Sequence, residues 1–273
     1  MRYPLGFIGA GNMAEAIARG AARTGVIPAE QMIAADPSAE RLSVFESFGV
    51  VSATDNAGLI AAADTVVLAI KPQMLAALGE PGQGAWSAID PERHTIISIM
   101  AGISSAKICA AIGQPVRVIR VMPNTPLMVG RGMAGVALGE NARPGDDELA
   151  MRLFGACGEA VRVSESELDA VTAISGSGPA YLFYLAEAMQ AAANELGLSE
   201  HARLLVNQTL LGSAELLIQS DDPPESPADL RRKVTSPGGT TAAAIAHLDE
   251  HQVQQTIVDA LRAARDRSVE LGG

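Results

Sequence analysis

Cysteines, aromatic residues and lysines are scarce in this chain, and basic residues are outnumbered: two cysteines, 3% aromatics, and 20 Lys and Arg against 31 Asp and Glu in 273 residues. Each scarcity excludes something. Cys109 and Cys157 stand far apart without CxxC spacing, which argues against a disulfide framework and against a zinc site, so both read as core residues. With 48% hydrophobic residues and so few aromatics, the core must be built from Ala, Leu, Ile and Val. No apolar run approaches the roughly 18 residues of a membrane-spanning helix. The N-terminus also lacks the basic-then-apolar pattern of a secretory signal, so a soluble, cytoplasmic protein with no membrane partner is expected. A formal charge of −11 speaks against nucleic acid as a partner, and any anionic ligand must be held by local donors against the overall field. His94, His201, His247 and His251 are scattered and read as surface residues. His247 and His251 are four apart, but a helix boundary is expected at Asp249 and Glu250 between them, so no metal is expected. There is no G-x-S-x-G elbow and no carboxylate pair, which leaves the chemistry to a cofactor.

What is present begins at the N-terminus. An apolar strand at 5–8 leads straight into Gly9-Ala10-Gly11-Asn12-Met13-Ala14, and a helical run follows at 15–23. This is the G-x-G-x-x-G/A fingerprint in its meaningful context, after a strand and opening a helix. Gly9 allows the tight turn, Gly11 lets backbone approach a pyrophosphate, and Ala14 lets the helix lie close to the sheet. Further strands are expected at 32–35, 50–51, 65–70, 95–100 and 116–122, with one more at 159–163, and helices at 38–48, 56–62 and 104–112. Such alternation predicts an α/β fold, a Rossmann-type doubly wound, mainly parallel sheet over residues 1–164.

In sheets of this kind the ligand lies at the carboxyl ends of the strands. Asp36 ends the second strand, where an acidic residue holds an adenosine ribose and favours NADH. Arg41 lies within reach of a 2′-phosphate and favours NADPH, so both cofactors stay open. Ala69-Ile70-Lys71-Pro72 ends the fourth strand, where Lys71 faces either the cofactor or solvent. Ala101 and Gly102 end the fifth and are small enough for a flat ring to approach. The sixth ends in Met122-Pro123-Asn124-Thr125-Pro126, a stiff loop whose Asn124 amide suits the wall of a nicotinamide site.

After residue 164 the strand pattern stops. Helices are expected at 165–174, 179–196, 199–219 with Ser199 as cap, 227–233, 241–248 and 250–270, with a linker-like segment at 221–226. On the helix from Pro179, Glu187, Gln190, Asn194 and Glu195 make one narrow stripe, while Leu182, Phe183, Leu185, Ala188 and Met189 cover most of the remainder. A helix apolar nearly all round must be buried, and this predicts packing against a second chain. Between two of these helices runs Val234-Thr235-Ser236-Pro237-Gly238-Gly239-Thr240-Thr241. Pro237 fixes its own backbone, the Gly pair can take positive φ, and the Thr pair can cap the next helix. Such a turn leaves several amides unpaired at a helix start, a seat for an anion. An ordinary helix connection has the same composition.

Taken together, Gly9 to Ala14, Lys71-Pro72, Arg120 to Pro126, Gly176-Ser177-Gly178-Pro179-Ala180-Tyr181 and Thr235 to Thr241 resemble pyrroline-5-carboxylate reductases, over almost the whole chain and in order. The resemblance implies reduction of the cyclic imine 1-pyrroline-5-carboxylate to proline by NADPH or NADH, the last step of proline biosynthesis. It implies an all-α dimerisation domain over 165–273 that also binds substrate and interleaves with a partner subunit, in a homodimer able to assemble further. By the same resemblance, Gly9, Ala10, Gly11, Asn12, Met13, Ala14, Asn56, Ala69, Ile70, Lys71 and Pro72 bind the cofactor. Ser236, Gly238, Gly239 and Thr240 hold the substrate carboxylate, and Thr241 hydrogen-bonds the ring nitrogen as the catalytic residue. One departure from the pattern is the stretch Asp221-Asp222-Pro223-Pro224-Glu225, where Glu225 stands for an acidic residue that relatives carry before the helix at Pro227. Three other readings compete. A β-hydroxyacid dehydrogenase needs a lysine in its helical domain, and none of Lys71, Lys107 and Lys233 lies on the helix from Pro179. A non-enzymatic dinucleotide sensor or scaffold has no use for the turn at 236–241. A reductase of a related cyclic imine acid would keep the whole pattern.

Overall fold

Eight strands form one sheet in the order β3-β2-β1-β4-β5-β6-β7-β8. The computed structural model describes residues 2–219 and 225–272. The strands are β1 (Tyr3–Ile8), β2 (Met32–Ala35), β3 (Val51–Ser52), β4 (Ala63–Leu68), β5 (Thr95–Ser98), β6 (Arg117–Met122), β7 (Gly132–Leu138) and β8 (Gly158–Arg162). All neighbours pair in parallel except β6 and β7. The helices that accompany the sheet are α1 (Asn12–Thr24), α2 (Ala39–Glu46), α3 (Asn56–Ala62), α4 (Ser105–Ile112), α5 (Glu148–Gly155) and α6 (Leu168–Val171). The later ones are α7 (Gly178–Glu195), α8 (Ala202–Ile218), α9 (Pro227–Lys233), α10 (Thr240–Glu250) and α11 (Val253–Gly272).

The strands read as unbroken apolar runs because helices cover both faces. Adjacent residues go to opposite sides: Phe7 packs with Ile17, Ile119 and Phe154, whereas Ile8 packs with Leu59, Trp86 and Ile96. The expected doubly wound sheet is therefore present, with an addition. β7 is an antiparallel strand that the sequence reading passed over, because Gly132, Gly135 and the small Ala134 and Ala137 interrupt its apolar pattern. It leaves room for what lies beside it: a Cβ on Gly135 would come within 3.0 Å of Val171.

Contacts divide the chain into two units, one running to Pro179 and taking in the C-terminal stretch from Ala264, the other Ala180–Ala263. The division is displaced from the expected boundary at 164/165 because the segment after β8 belongs with the sheet. That segment, expected as one helix at 165–174, is a 3-10 turn, then α6, then a π-helical turn Thr172–Gly176. Glu165 explains its attachment. Its carboxylate accepts the Ser105 amide at 2.7 Å and the Ser105 hydroxyl at 2.6 Å, and meets Arg120 Nη1 at 3.2 Å on β6. The last turns of α11 are held likewise, by Ser268 Oγ donating to Asp169 Oδ1 at 2.6 Å.

Other expectations need correction. Ser199 does not cap α8, which starts at Ala202 after tight turns through Gly197 and His201. Of the expected linker, Asp221 to Pro224 lie outside the described residues. His94 is fully buried and not a surface residue. Its Nδ1 accepts the Asp90 amide at 2.8 Å and its Nε2 donates to the Ile60 carbonyl at 2.9 Å, while burial above all pushes its pKa down. Cys157 is a core residue as expected, while Cys109 is half-buried against the core; burial raises both thiols, and Cys157 Sγ occupies the space that a side chain on Gly20 would need.

Burial tends to raise the Glu165 pKa, but the bonds from Ser105 and Arg120 outweigh it and hold the carboxyl below its ordinary value. A group whose folded pKa is depressed stabilises fully above its unfolded value and loses that contribution as pH falls through the folded one. Glu165→Gln is expected to cost about 1–2 kcal/mol at neutral pH, measured by urea unfolding, and to flatten the acid side of the stability profile.

Candidate active site

Six helices show how the chain treats the amides that a helix start leaves unpaired. Ser38, Asp55, Ser104 and Ser226 cap α2, α3, α4 and α9, each accepting from the amide three residues on. Glycine stands at the N-cap of α1 (Gly11) and of α10 (Gly239), and no side chain caps either helix. At these two starts the donors are left for something else.

At α1, the chain leaves β1 through Gly9 with φ +96°, and a Cβ there would lie 2.8 Å from the Ala69 carbonyl oxygen. Only glycine fits both conditions. The Gly9 amide is used by the Ala35 carbonyl at 2.8 Å and the Ala10 amide by Asp36 Oδ2 at 2.7 Å. Among the described residues nothing takes the amides of Gly11, Asn12 or Met13. Gly11 and Asn12 are exposed, while Ala14 is fully buried against the sheet, as its small size predicted. Beside this loop, a cavity of about 310 Å³ opens at the carboxyl ends of β1 to β4, with Gly9, Asp36, Pro37, Asn56, Ile70 and Met74 in its wall.

The residues expected to choose between NADH and NADPH are already employed. Asp36 accepts the Ser38 amide through its second oxygen at 2.8 Å, so both oxygens hold backbone. Arg41 donates through Nε to the Ala10 carbonyl at 2.6 Å and through Nη2 to Glu15 at 2.8 Å. Both side chains therefore shape the loop before they meet any ligand. Lys71 is exposed at the start of a 3-10 stretch, Pro72–Leu78, and its carbonyl accepts the Met74 amide.

Two other expected positions serve the protein itself. Gly102, with φ +74°, faces Leu271 and Gly272 at the end of α11, so its small size makes room for the chain's own C-terminal helix. Asn124 donates to the Ser175 carbonyl at 3.1 Å and hydroxyl at 3.3 Å and accepts the Met133 amide at 2.9 Å. Its amide pins the proline-stiffened loop to the π-helical turn and to β7. These internal partners, like those of Asp36, were not legible because no local pattern links residues so far apart in sequence.

The second open helix start lies in the helical unit. Gly238 has φ +68°, the left-handed turn that the Gly pair predicted. The Gly239 amide is spent closing the turn on the Ser236 carbonyl at 3.1 Å, which removes one of the expected donors. Thr240 and Thr241 do not cap α10 but are its first two residues. Among the described residues no partner takes the amides of Gly238, Thr240 or Thr241, or the Ser236 hydroxyl. Ser236, Gly238 and Thr240 are exposed and Thr241 is half-buried. Glu225 is paired with Lys233 at 2.6 Å, at the basic end of α9 just before this turn.

A family model described as pyrroline-5-carboxylate reductase dimerisation matches residues 165–271, and one described as NADP oxidoreductase coenzyme F420-dependent matches residues 4–102. The pyrroline-5-carboxylate reductase of Haemophilus influenzae is 43% identical over 269 residues, 98% of this chain and 97% of that one. The chain belongs to the pyrroline-5-carboxylate reductase family. Structures of the family agree. The Coxiella burnetii pyrroline-5-carboxylate reductase superposes with TM-score 0.88 at 36% identity, covering 100% of both chains. The Plasmodium falciparum pyrroline carboxylate reductase, solved with NADP bound, gives 0.85 at 30% identity, covering 99% of this chain and 98% of that one. Membership places the two uncapped helix starts in the two halves of the family's chain, one within each matched model.

The Gly9 geometry yields a direct expectation. Gly9→Ala would place a Cβ against backbone at a positive φ, so a loss of about 2–4 kcal/mol in urea unfolding is expected, with a displaced loop.

Proposed function

We propose that this protein reduces 1-pyrroline-5-carboxylate to proline with NADPH or NADH. The observation that carries the reading is the pair of glycine-capped helix starts, one in each unit, where donors stand unpaired. At α1, the amides of Gly11, Asn12 and Met13 receive the cofactor pyrophosphate, with Ala10 and Ala14 shaping the loop. Asp36, Asn56 and Ile70 line the cavity for the adenosine end, and Ala69, Lys71, Pro72, Ala101 and Asn124 border the nicotinamide end. The residues fit the group: the loop is clear of side chains where the anion must lie, and Gly9 could not be otherwise. When bound, the nicotinamide supplies a hydride.

At α10, the Ser236 hydroxyl and the Gly238 and Thr240 amides hold the substrate carboxylate, with Gly239 keeping the turn closed. Thr241, one residue further into the helix, orients the imine nitrogen and assists its protonation, directly or through water. The balance is simple: hydride to the imine carbon, a proton to the nitrogen. Transfer needs the imine carbon roughly 3–3.5 Å from the donor carbon, so positioning supplies much of the rate. Residues 1–164 serve in this reading as the cofactor domain, and 165–273 as the domain that binds substrate and dimerises.

The helical unit supports a homodimer. Phe183 is 63% exposed and Ile218 78% exposed, and Leu182, Tyr184, Leu204 and Leu216 are exposed beside them on α7 and α8. A second copy with interleaved helices covers these faces. No helix of the described residues is long and apolar enough to cross a membrane, and we place the enzyme in the cytoplasm.

The deciding assay follows cofactor oxidation with pyrroline-5-carboxylate, NADH and NADPH run side by side. No oxidation with either, together with retained cofactor binding, would mark a dinucleotide sensor. Faster turnover of a six-membered cyclic imine acid would mark a related reductase. Ser236→Ala is expected to raise KM about 10- to 100-fold with kcat nearly unchanged, because it removes a bond to a charged group in ground and transition states alike. Thr241→Ala is expected to lower kcat about 100-fold, and wild-type kinetics would remove it from the mechanism. Sedimentation at micromolar concentration should show a dimer or larger, and Phe183→Asp should shift it towards monomer.

A further inference from the structure

We propose that His247, Glu250 and His251 form a binding site for a divalent first-row transition-metal ion, of which Zn²⁺ is the type. No metal was expected here, since a helix boundary at Asp249 and Glu250 would turn the histidines apart. The boundary lies slightly later: α10 runs through Glu250, and His251 is its C-cap, its amide still bonded to the His247 carbonyl, so the two imidazoles stand one turn apart with ring centroids 4.3 Å apart. Glu250 lies three residues from His247 on the same turn, and one ligand atom from each of the three residues lies within 4.8 Å of the others.

The distances are near what an ion requires. Zinc held at about 2.0–2.1 Å by each ligand in tetrahedral geometry sets ligand atoms roughly 3.3 Å apart, so the side chains need to draw in by about 1.5 Å or less. All three are exposed, and no core must move for them to do so. A second observation points the same way. His251 Nδ1 lies 2.8 Å from the His247 carbonyl oxygen. A ring nitrogen facing a carbonyl carries the hydrogen, which leaves Nε2 with a free lone pair and fixes the ring plane, as outer-shell bonds do for metal-bound histidines. The helix end adds its partial negative charge, favourable to a cation. Two imidazoles with one carboxylate select zinc, nickel or copper over magnesium or calcium.

Occupancy would staple the last turn of α10, immediately before Gln252 takes a left-handed conformation and the chain turns into α11. The helix would then be fixed at the end opposite its uncapped start. This site is independent of the proposed reduction and can stand or fall without it.

The test uses full-length protein without an affinity tag, stripped with chelator and titrated with Zn²⁺ by calorimetry and with Co²⁺ by visible absorption. One ion per chain with micromolar affinity is expected, and a rise in thermal midpoint with Zn²⁺. Outer-shell partners alone are worth about 10- to 100-fold in affinity, so His247→Ala and His251→Ala should each weaken binding at least about tenfold. The double variant should lose the thermal shift while keeping the wild-type circular dichroism. An absence of saturable binding, or equal affinity and equal thermal shift in the double variant, overturns the proposal.

Discussion

A helix cannot satisfy its own first amides, and this chain is organised around where it declines to satisfy them with side chains. Four helix starts are closed by a serine or aspartate. Among the starts that no side chain closes, those of α1 and α10 are the two with a glycine in the capping position. A side-chain acceptor there would take up the very donors that the proposed function needs free, which a glycine cap leaves open. The net charge of −11 sharpens the point. With the long-range field against any anion, recognition has to come from short, directed backbone dipoles.

Keeping donors open places a demand on the surroundings, because a loop with no side chains of its own must be held from outside. At α1 the holding is done by Asp36 and Arg41. One carboxylate ties the Ala10 and Ser38 amides, and one guanidinium ties the Ala10 carbonyl and Glu15. The end of β2, the loop after β1 and the first turn of α1 thereby become one piece. Burial tends to raise the Glu15 pKa, but its bonds to Arg19 and Arg41 outweigh it and hold the carboxyl below its ordinary value, which favours the charge that anchors Arg41. Residues usually read as choosing between cofactors thus have a prior structural duty, and a substitution at either would alter loop geometry and selectivity together.

How much of this was legible depended on range. Continuous apolar strands, the fingerprint and the left-handed turn at Gly238 are local patterns, and the structure has them where the sequence puts them. α3 and α9 even begin and end at the expected residues, with Asp55 and Ser226 capping their starts in the structure. Long-range partners left no local trace. Nothing near Asn124 announces Ser175, nothing near Gly102 announces Gly272, and nothing near Glu165 announces Ser105 and Arg120. β7 hid for a different reason: its glycines serve close packing against Val171 and Leu127, and they erase the apolar signature that other strands show. The histidines of α10 were misread through a boundary misplaced by only a few residues, the weakest part of any local reading.

The openness of the α10 turn bears on how a reaction could run there. Ser236, Gly238 and Thr240 face solvent in the single chain, and water competes for every donor they offer. Hydrogen bonds to a carboxylate gain strength when that competition is removed. The same unit exposes Leu182, Phe183, Tyr184 and Ile218, more large apolar surface than a solitary chain leaves uncovered without cost. Both features call for covering, and association of two helical units is the covering that the proposed function supplies. On the proposed function, activity would then depend on assembly: a variant that stays monomeric would keep its loop at α1, yet leave the 236–241 turn open to bulk water.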